Sequence, residues 1–227
     1  VVSVDYIGQG EAAWQVTTVD TATGADTQTA TCQHVVSANG PLSSPRMPEV
    51  PGMESFKGES FHTALWDRSA SLKGKKVGVI GTGASAAQVI TSIVDDVESL
   101  AVIQRTPTWA LPRDDEPTPP EMVEEFKAGG YSEKLRYVDW KGEYPKPTDV
   151  PFTFEMLQDE EQNAKICAGI ARSISNEVND PELAKQLTPD YPFFCKRVLF
   201  IDDYYATYNR DNVTLINEPG GVVAINE

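Results

Sequence analysis

The chain has 227 residues, 40% of them hydrophobic, and a formal net charge of −15. That length suits one large domain or two small ones, with enough apolar residues for a core. An acidic chain without a Lys/Arg cluster lacks the basic patch that nucleic acid requires, and no apolar run approaches the ~20 residues of a membrane span.

The chain opens on "VVSVDYIG", a strand-like run with no initiating Met and no signal-peptide pattern. Residues 11–38 read as antiparallel strands: "AAWQVTTVD" alternates, "TATGAD" turns and "TQTATCQHVVSA" returns. The stretch "NGPLSSPRMPEVPGMESFKG" is rich in Pro, Gly and Ser and reads as a connector. "KKVGVIG" then reads as a short buried strand, and "ASAAQVITSIVDDV" as a helix. Its apolar face is Ala86, Val89, Ile90, Ile93 and Val94. "SLAVIQR" is the next strand. Strand, glycine turn, helix and strand within ~30 residues make a βαβ unit with a parallel sheet.

From about Trp109 to Pro192 the character changes. An acidic, proline-rich stretch leads into helical patterns, with Ile166, Ile170 and Ile174 at every fourth position. Asp180 reads as a helix cap with Pro181 in the first helical position. The span is expected to be a mainly helical insertion. "CKRVLF" reads as a strand, "DDYYATYNRDNVTLI" as a loop and short helix closing in a strand, and "GGVVAINE" as a strand just starting. Both ends look cut, so a fragment of a longer protein is expected. Cys32, Cys167 and Cys195 are odd in number and far apart. Neither a disulfide framework nor a metal site is expected, and the reduced cytoplasm is the expected compartment.

"GTGASA" places Gly81 and Gly83 two apart with Ala86 three further on. The first glycine permits the tight turn, the second lets the backbone approach a pyrophosphate, and the third small residue lets helix and strand pack closely. The helix presents its free N–H groups and positive end to the phosphates. Gly81, Thr82, Gly83, Ala84, Ser85, Ala86 and Gln88 are therefore candidate dinucleotide-binding residues. An NAD site places an Asp or Glu at the end of the second strand. This chain has Arg105 and Thr106 instead. A guanidinium beside a hydroxyl suits a 2′-phosphate, so NADP(H) is favoured.

Just upstream, "FKGESFHTALWD" has the form Phe56-x-Gly58-x-x-x-His62-x-x-x-Trp66-Asp67. It resembles the fingerprint of Baeyer–Villiger monooxygenases, flavoproteins that insert one oxygen atom beside a carbonyl. The resemblance implies that these residues mark the linker between FAD-binding and NADP-binding parts. It implies for His62 a structural or coupling role rather than attack on substrate, as for hinge residues away from the chemistry. Residues 35–56 resemble the return strand from the FAD domain, with Ala38-Asn39-Gly40 where Ala-Thr-Gly is usual. "YPFFCKRVLFIDDYYATYNRDNVTLI" resembles the segment re-entering that domain. By that resemblance Lys196 would help hold the NADPH 2′-phosphate, and Arg197 would reach the flavin as the catalytic residue. Phe194 stands where the family usually has Gly, which bears on the position of Arg197.

The fold implied is α/β, a Rossmann-like NADP-binding domain with a helical insertion, plus antiparallel strands of an incomplete FAD-binding domain. The expected boundaries are 1–55 for part of the FAD domain and connector, and 56–74 for the fingerprint linker. The NADP domain takes 75–197, with its insertion at about 110–192, and 198–227 returns to the FAD domain. The activity implied is NADPH- and FAD-dependent conversion of a small-molecule ketone to an ester or lactone with O2, no nucleic acid or membrane taking part. The FAD turn is expected upstream of Val1, which would leave this chain inactive alone. Two alternatives remain open on the sequence: a nitrogen- or sulfur-oxidising flavin monooxygenase, and a non-catalytic NADP-binding module. The particular ketone and the oligomeric state are not legible.

Overall fold

A computed structural model describes all residues except 9, 11, 12, 41, 43, 114–116, 130–152 and 227. Part of the acidic insertion therefore lies outside the described residues. The chain divides into two units, Val1–Arg46 and Met47–Glu227.

The first unit is a three-stranded antiparallel sheet of β1 (Ser3–Tyr6), β2 (Trp14–Thr18) and β3 (Gln28–Cys32), in that order. Its β-branched alternation suits a pleated surface, and Tyr6 meets Trp14 edge to face at 5.2 Å across the register. The β2–β3 turn is set by Asp20, whose Oδ1 accepts from the Ala22 and Thr23 amides. The return strand ends at Cys32, short of the expected 38.

The second unit holds a parallel sheet in the order β4 (Lys76–Ile80), β5 (Ser99–Gln104), β8 (Val213–Asn217). Helix α1 (Ala84–Ile93) makes the crossover from β4 to β5. The expected α/β class is borne out. Strand β8, in the span expected to return to the FAD domain, pairs with β5 from Leu100↔Val213 to Gln104↔Asn217 and so lies in this same sheet. Parallel partners lie far apart in sequence, and no local pattern marks which sheet a late strand joins. Nor is β4 the buried strand that its apolar run suggests: it is an edge strand, with Val77 and Val79 half-buried but Lys76 and Ile80 exposed. On the central β5, Leu100, Val102 and Gln104 are buried on one face.

Ala87, Ile90 and Ile93 of α1 are buried in the cluster that holds Leu100 and Val102. Full burial of each large aliphatic side chain contributes roughly 1.5–3 kcal/mol. Ala87 is fully buried, and Ala86, the third small residue of the turn motif, is half-buried. Past the helix end, Asn212 Nδ2 donates to the carbonyls of Val94 (3.0 Å) and Val97 (3.3 Å). The Val94 carbonyl, at the helix C-cap, has no intrahelical donor.

The insertion contributes α2 (Pro120–Lys127), α3 (Phe154–Gln158), α4 (Glu160–Glu177) and α5 (Pro181–Leu187). Ile174 is fully buried and Ile166 and Ile170 half-buried, the face the spacing predicts. Asp180 caps α5, its Oδ1 accepting from Glu182 N at 2.9 Å, with Pro181 in the first turn. The strand expected over "CKRVLF" is only β7 (Leu199–Phe200), which pairs in parallel with β6 (Ala110–Leu111). The strand expected over "GGVVAINE" does not form among its described residues, 220–226. Ile225 N donates to Pro51 O at 2.8 Å, and a Cβ on Gly52 would lie 1.6 Å from Ile225 O, so this tail packs on the connector at a position open only to glycine.

Candidate cofactor site

The glycine turn joins β4 to α1. Gly81 has φ +104°, which side chains rarely adopt, and its N–H donates to Ile103 O at 2.9 Å. Gly83 is the extended N-cap of α1, with no side-chain cap hydrogen bond. A Cβ added at Gly81 or Gly83 meets nothing within 4 Å, so the turn faces open space. An uncapped helix start facing open space across two glycines is what a pyrophosphate requires. Thr82 is buried, and its Oγ1 donates to Thr106 O at 2.8 Å. Its hydroxyl is thus committed to the fold. Gln88 Nε2 turns back to Ala84 O at 3.0 Å. Ser85 is exposed on the first turn, and Ala84 and Ala86 are half-buried.

Arg105 follows β5 and is exposed. Its stem runs past Gly221, where a Cβ would lie 3.5 Å from Arg105 Cδ. Beneath it, Gln104 is fully buried and its Nε2 donates to Gln186 O (2.8 Å) and Asn217 Oδ1 (3.0 Å). That strut ties the end of β5 to α5 and β8. Thr82 therefore ties the glycine turn to the segment that carries Arg105 and Thr106.

Lys196 and Arg197 are exposed and precede β7. The turn before them is closed by Cys195 N donating to Pro192 O at 3.1 Å, with Phe194 in its third position at φ +72°. Positive φ at that position is the signature of a type II turn, which favours Gly. This is the physical reason a glycine suits the position that Phe194 occupies. The Phe194 ring meets Phe193 edge to face at 5.5 Å.

Sequence reasoning missed what holds this turn. Asn163 of α4 is buried. Its Oδ1 accepts from Phe193 N at 2.9 Å, and its Nδ2 donates to Phe193 O (3.1 Å) and Leu157 O (3.0 Å). The signal was present, because residues 163, 166, 170 and 174 share one helix face, and a polar residue on an apolar stripe needs a partner. On the far side, Leu199 N donates to Trp109 O at 2.9 Å. Tyr205 accepts from Ala110 N (3.1 Å) and donates to Thr108 O (2.9 Å). Burial pushes its phenol far up, so it remains a donor at ordinary pH.

The fingerprint residues form their own local structure. His62 caps the short 3-10 helix Thr63–Leu65, its Nδ1 accepting from Ala64 N at 3.0 Å. Trp66 meets Phe61 edge to face at 4.9 Å. Asp67 Oδ1 accepts from Ser69 Oγ (2.6 Å) and Ser69 N (2.8 Å). The Ser69 hydroxyl and amide hold the Asp67 carboxyl below its usual range. The Phe56 ring lies over Gly58, where a Cβ would be 2.6 Å from it. No cluster of His, Cys, Asp or Glu suited to a metal occurs among the described residues. No helix among them is long and apolar enough to cross a membrane.

A sequence model of the flavin-binding monooxygenase-like family matches residues 3–129. The 2-oxo-Δ3-4,5,5-trimethylcyclopentenylacetyl-CoA monooxygenase of Pseudomonas putida is 34% identical, over 82% of this chain and 41% of its own length. A Baeyer–Villiger monooxygenase of Pseudomonas aeruginosa is 38% identical, over 83% of this chain and 35% of its own length. Among solved structures, OTEMO in complex with FAD and NADP aligns with a TM-score of 0.77 at 30% identity, covering 99% of this chain and 48% of that one. The open structure of cyclohexanone monooxygenase gives 0.75 at 29%, covering 98% and 48%. The chain thus spans about two fifths of the length of these curated relatives.

Proposed function

Because this chain belongs to the flavin-binding monooxygenase-like family, we propose that it is the NADP-binding portion of a Baeyer–Villiger monooxygenase. Such an enzyme would oxidise ketones to esters or lactones with NADPH, FAD and O2. The observation that carries the reading is the glycine turn, open at Gly81 and Gly83 and stitched by Thr82 to the loop of Arg105. The fingerprint residues precede it in sequence, and relatives named Baeyer–Villiger monooxygenases share 31–38% identity.

In this reading the backbone N–H groups of residues 81–86 hold the pyrophosphate of NADPH, beside Gln88. Arg105, Thr106 and Lys196 hold its 2′-phosphate. NADPH supplies the hydride and FAD the oxygen-activating chemistry when bound. Arg197 is assigned to the flavin side, where a fixed guanidinium stabilises developing negative charge in a site closed to water. The Asn163-held turn and the β6–β7 pair fix the backbone on either side of it. His62, engaged in its cap, is assigned a structural role. The three free cysteines support a reduced, cytoplasmic setting.

Product analysis tests the proposal. The full-length protein, given NADPH, FAD and 18O2, is offered cyclic and linear ketones and an aryl methyl sulfide. One 18O atom in an ester or lactone supports the reading. Labelled sulfoxide without any ester assigns the protein to nitrogen- or sulfur-oxidising monooxygenases instead. NADP+ binding without oxygenated product assigns it to non-catalytic modules.

A further inference from the structure

Tyr191 touches Lys196 and the loop that follows Arg105. Lys196 Nζ sits 4.6 Å from the centroid of its ring. Its hydroxyl donates to Pro107 O at 2.9 Å, two residues beyond Arg105. The Tyr191 backbone is itself fixed, because the buried Trp109 donates from Nε1 to Tyr191 O at 3.1 Å and meets its ring edge to face at 6.2 Å.

We propose that Tyr191 is a positioning residue for recognition of the NADPH 2′-phosphate, seating Lys196 on its ring and the Arg105 loop on its hydroxyl. The inference rests on the NADPH reading above. An exposed Lys is a flexible four-carbon stem that samples many rotamers. The face of an aromatic ring attracts its ammonium and narrows that range, while leaving the remaining N–H donors for an anion. The loop after Arg105 is pinned at two consecutive carbonyls. Thr106 O takes the Thr82 hydroxyl from the phosphate turn, and Pro107 O takes the Tyr191 hydroxyl from the Lys196 segment. Tyr191 thereby couples the placement of Lys196 to that of Arg105. Burial raises its phenol above the usual value, which keeps it a donor through the working range.

The test is the preference for NADP+ over NAD+, measured as the ratio of dissociation constants in the full-length protein and in Y191F, Y191L and K196M. Y191F keeps the ring and loses the hydroxyl, so the preference should fall about fivefold. Y191L loses both, and the preference should fall roughly tenfold or more, with NAD+ affinity within about twofold of the parent. In K196M the further replacement Y191L should reduce the preference by less than it does alone, because the ammonium it seats is gone. Equal losses for NADP+ and NAD+ mean a merely structural role and overturn the proposal. So does an unchanged preference in Y191F, the variant that settles the matter if Y191L does not fold. A parent protein with no preference for NADP+ overturns the NADPH reading itself, and that outcome is visible before any variant is made.

Discussion

At the scale of single residues, the turn before Lys196 and Arg197 concentrates the most informative chemistry. Phe194 is held at φ +72°. A left-handed conformation costs an L-residue roughly 1–2 kcal/mol, and Phe194 is offset in part by its edge contact with Phe193. Ala keeps the strain and loses the contact, whereas Gly loses both. We therefore expect Phe194→Gly to be more stable than Phe194→Ala by about 1 kcal/mol, read from urea midpoints. An ordinary loop site would favour Ala over Gly. Asn163 gives the opposite case, a polar side chain whose every group is used. Asn163→Leu is close in volume but removes the amide that donates to the carbonyls of Phe193 and Leu157. It should cost about 2–4 kcal/mol, and a loss under 0.5 kcal/mol would show that the clamp is dispensable. Asn163 was traceable in sequence as an interruption of the Ile166–Ile170–Ile174 stripe. The strain at Phe194 was not, because positive φ is a property of the closed turn and not of the residue.

At the scale of elements, the glycines of the turn and of the fingerprint behave differently. Gly81 faces open space but has φ +104°, so Gly81→Ala is strained wherever its methyl points, by roughly 1–3 kcal/mol. Gly58 has ordinary φ, and a methyl there meets only the end of the half-exposed Phe56 ring, which can swing aside. Gly58→Ala should therefore cost less than about 1 kcal/mol. Thermal melts of the pair check the contrast, and equal losses would contradict it. The βαβ unit was legible because its periods are local: β5 alternates, α1 repeats every three to four residues, and two glycines sit between strand and helix. Elements defined by distant partners were not. β8 resembles a strand bound for another domain until its register on β5 is seen. β7 shrinks to two residues because only Leu199 and Phe200 find a partner in β6, and the apolar tail at 221–226 spends itself on the connector.

At the scale of the molecule, the second unit carries a buried tyrosine cluster that sets an alkaline limit. Tyr204, Tyr205 and Tyr208 are almost wholly buried, and Tyr208 donates to Tyr204 Oη at 3.0 Å. Burial raises all three phenols, Tyr208 to about 12. A group that holds its proton more tightly when folded stabilises the fold fully below its unfolded value near 10, and that contribution is lost as pH rises towards 12. The chain should therefore lose helical circular dichroism together with a rise in tyrosinate absorbance above pH 10. Ionisation of all three phenols with the helix signal intact would contradict the burial. The proposed chemistry is tested most directly by ester formation from a ketone by the full-length protein and its Arg197→Ala variant, with FAD, NADPH and O2 supplied to both. Ester is expected from the parent, with a loss of at least about a hundredfold in the variant, the scale of removing a fixed charge-stabilising group. Ester from Arg197→Ala at the parental rate would contradict it.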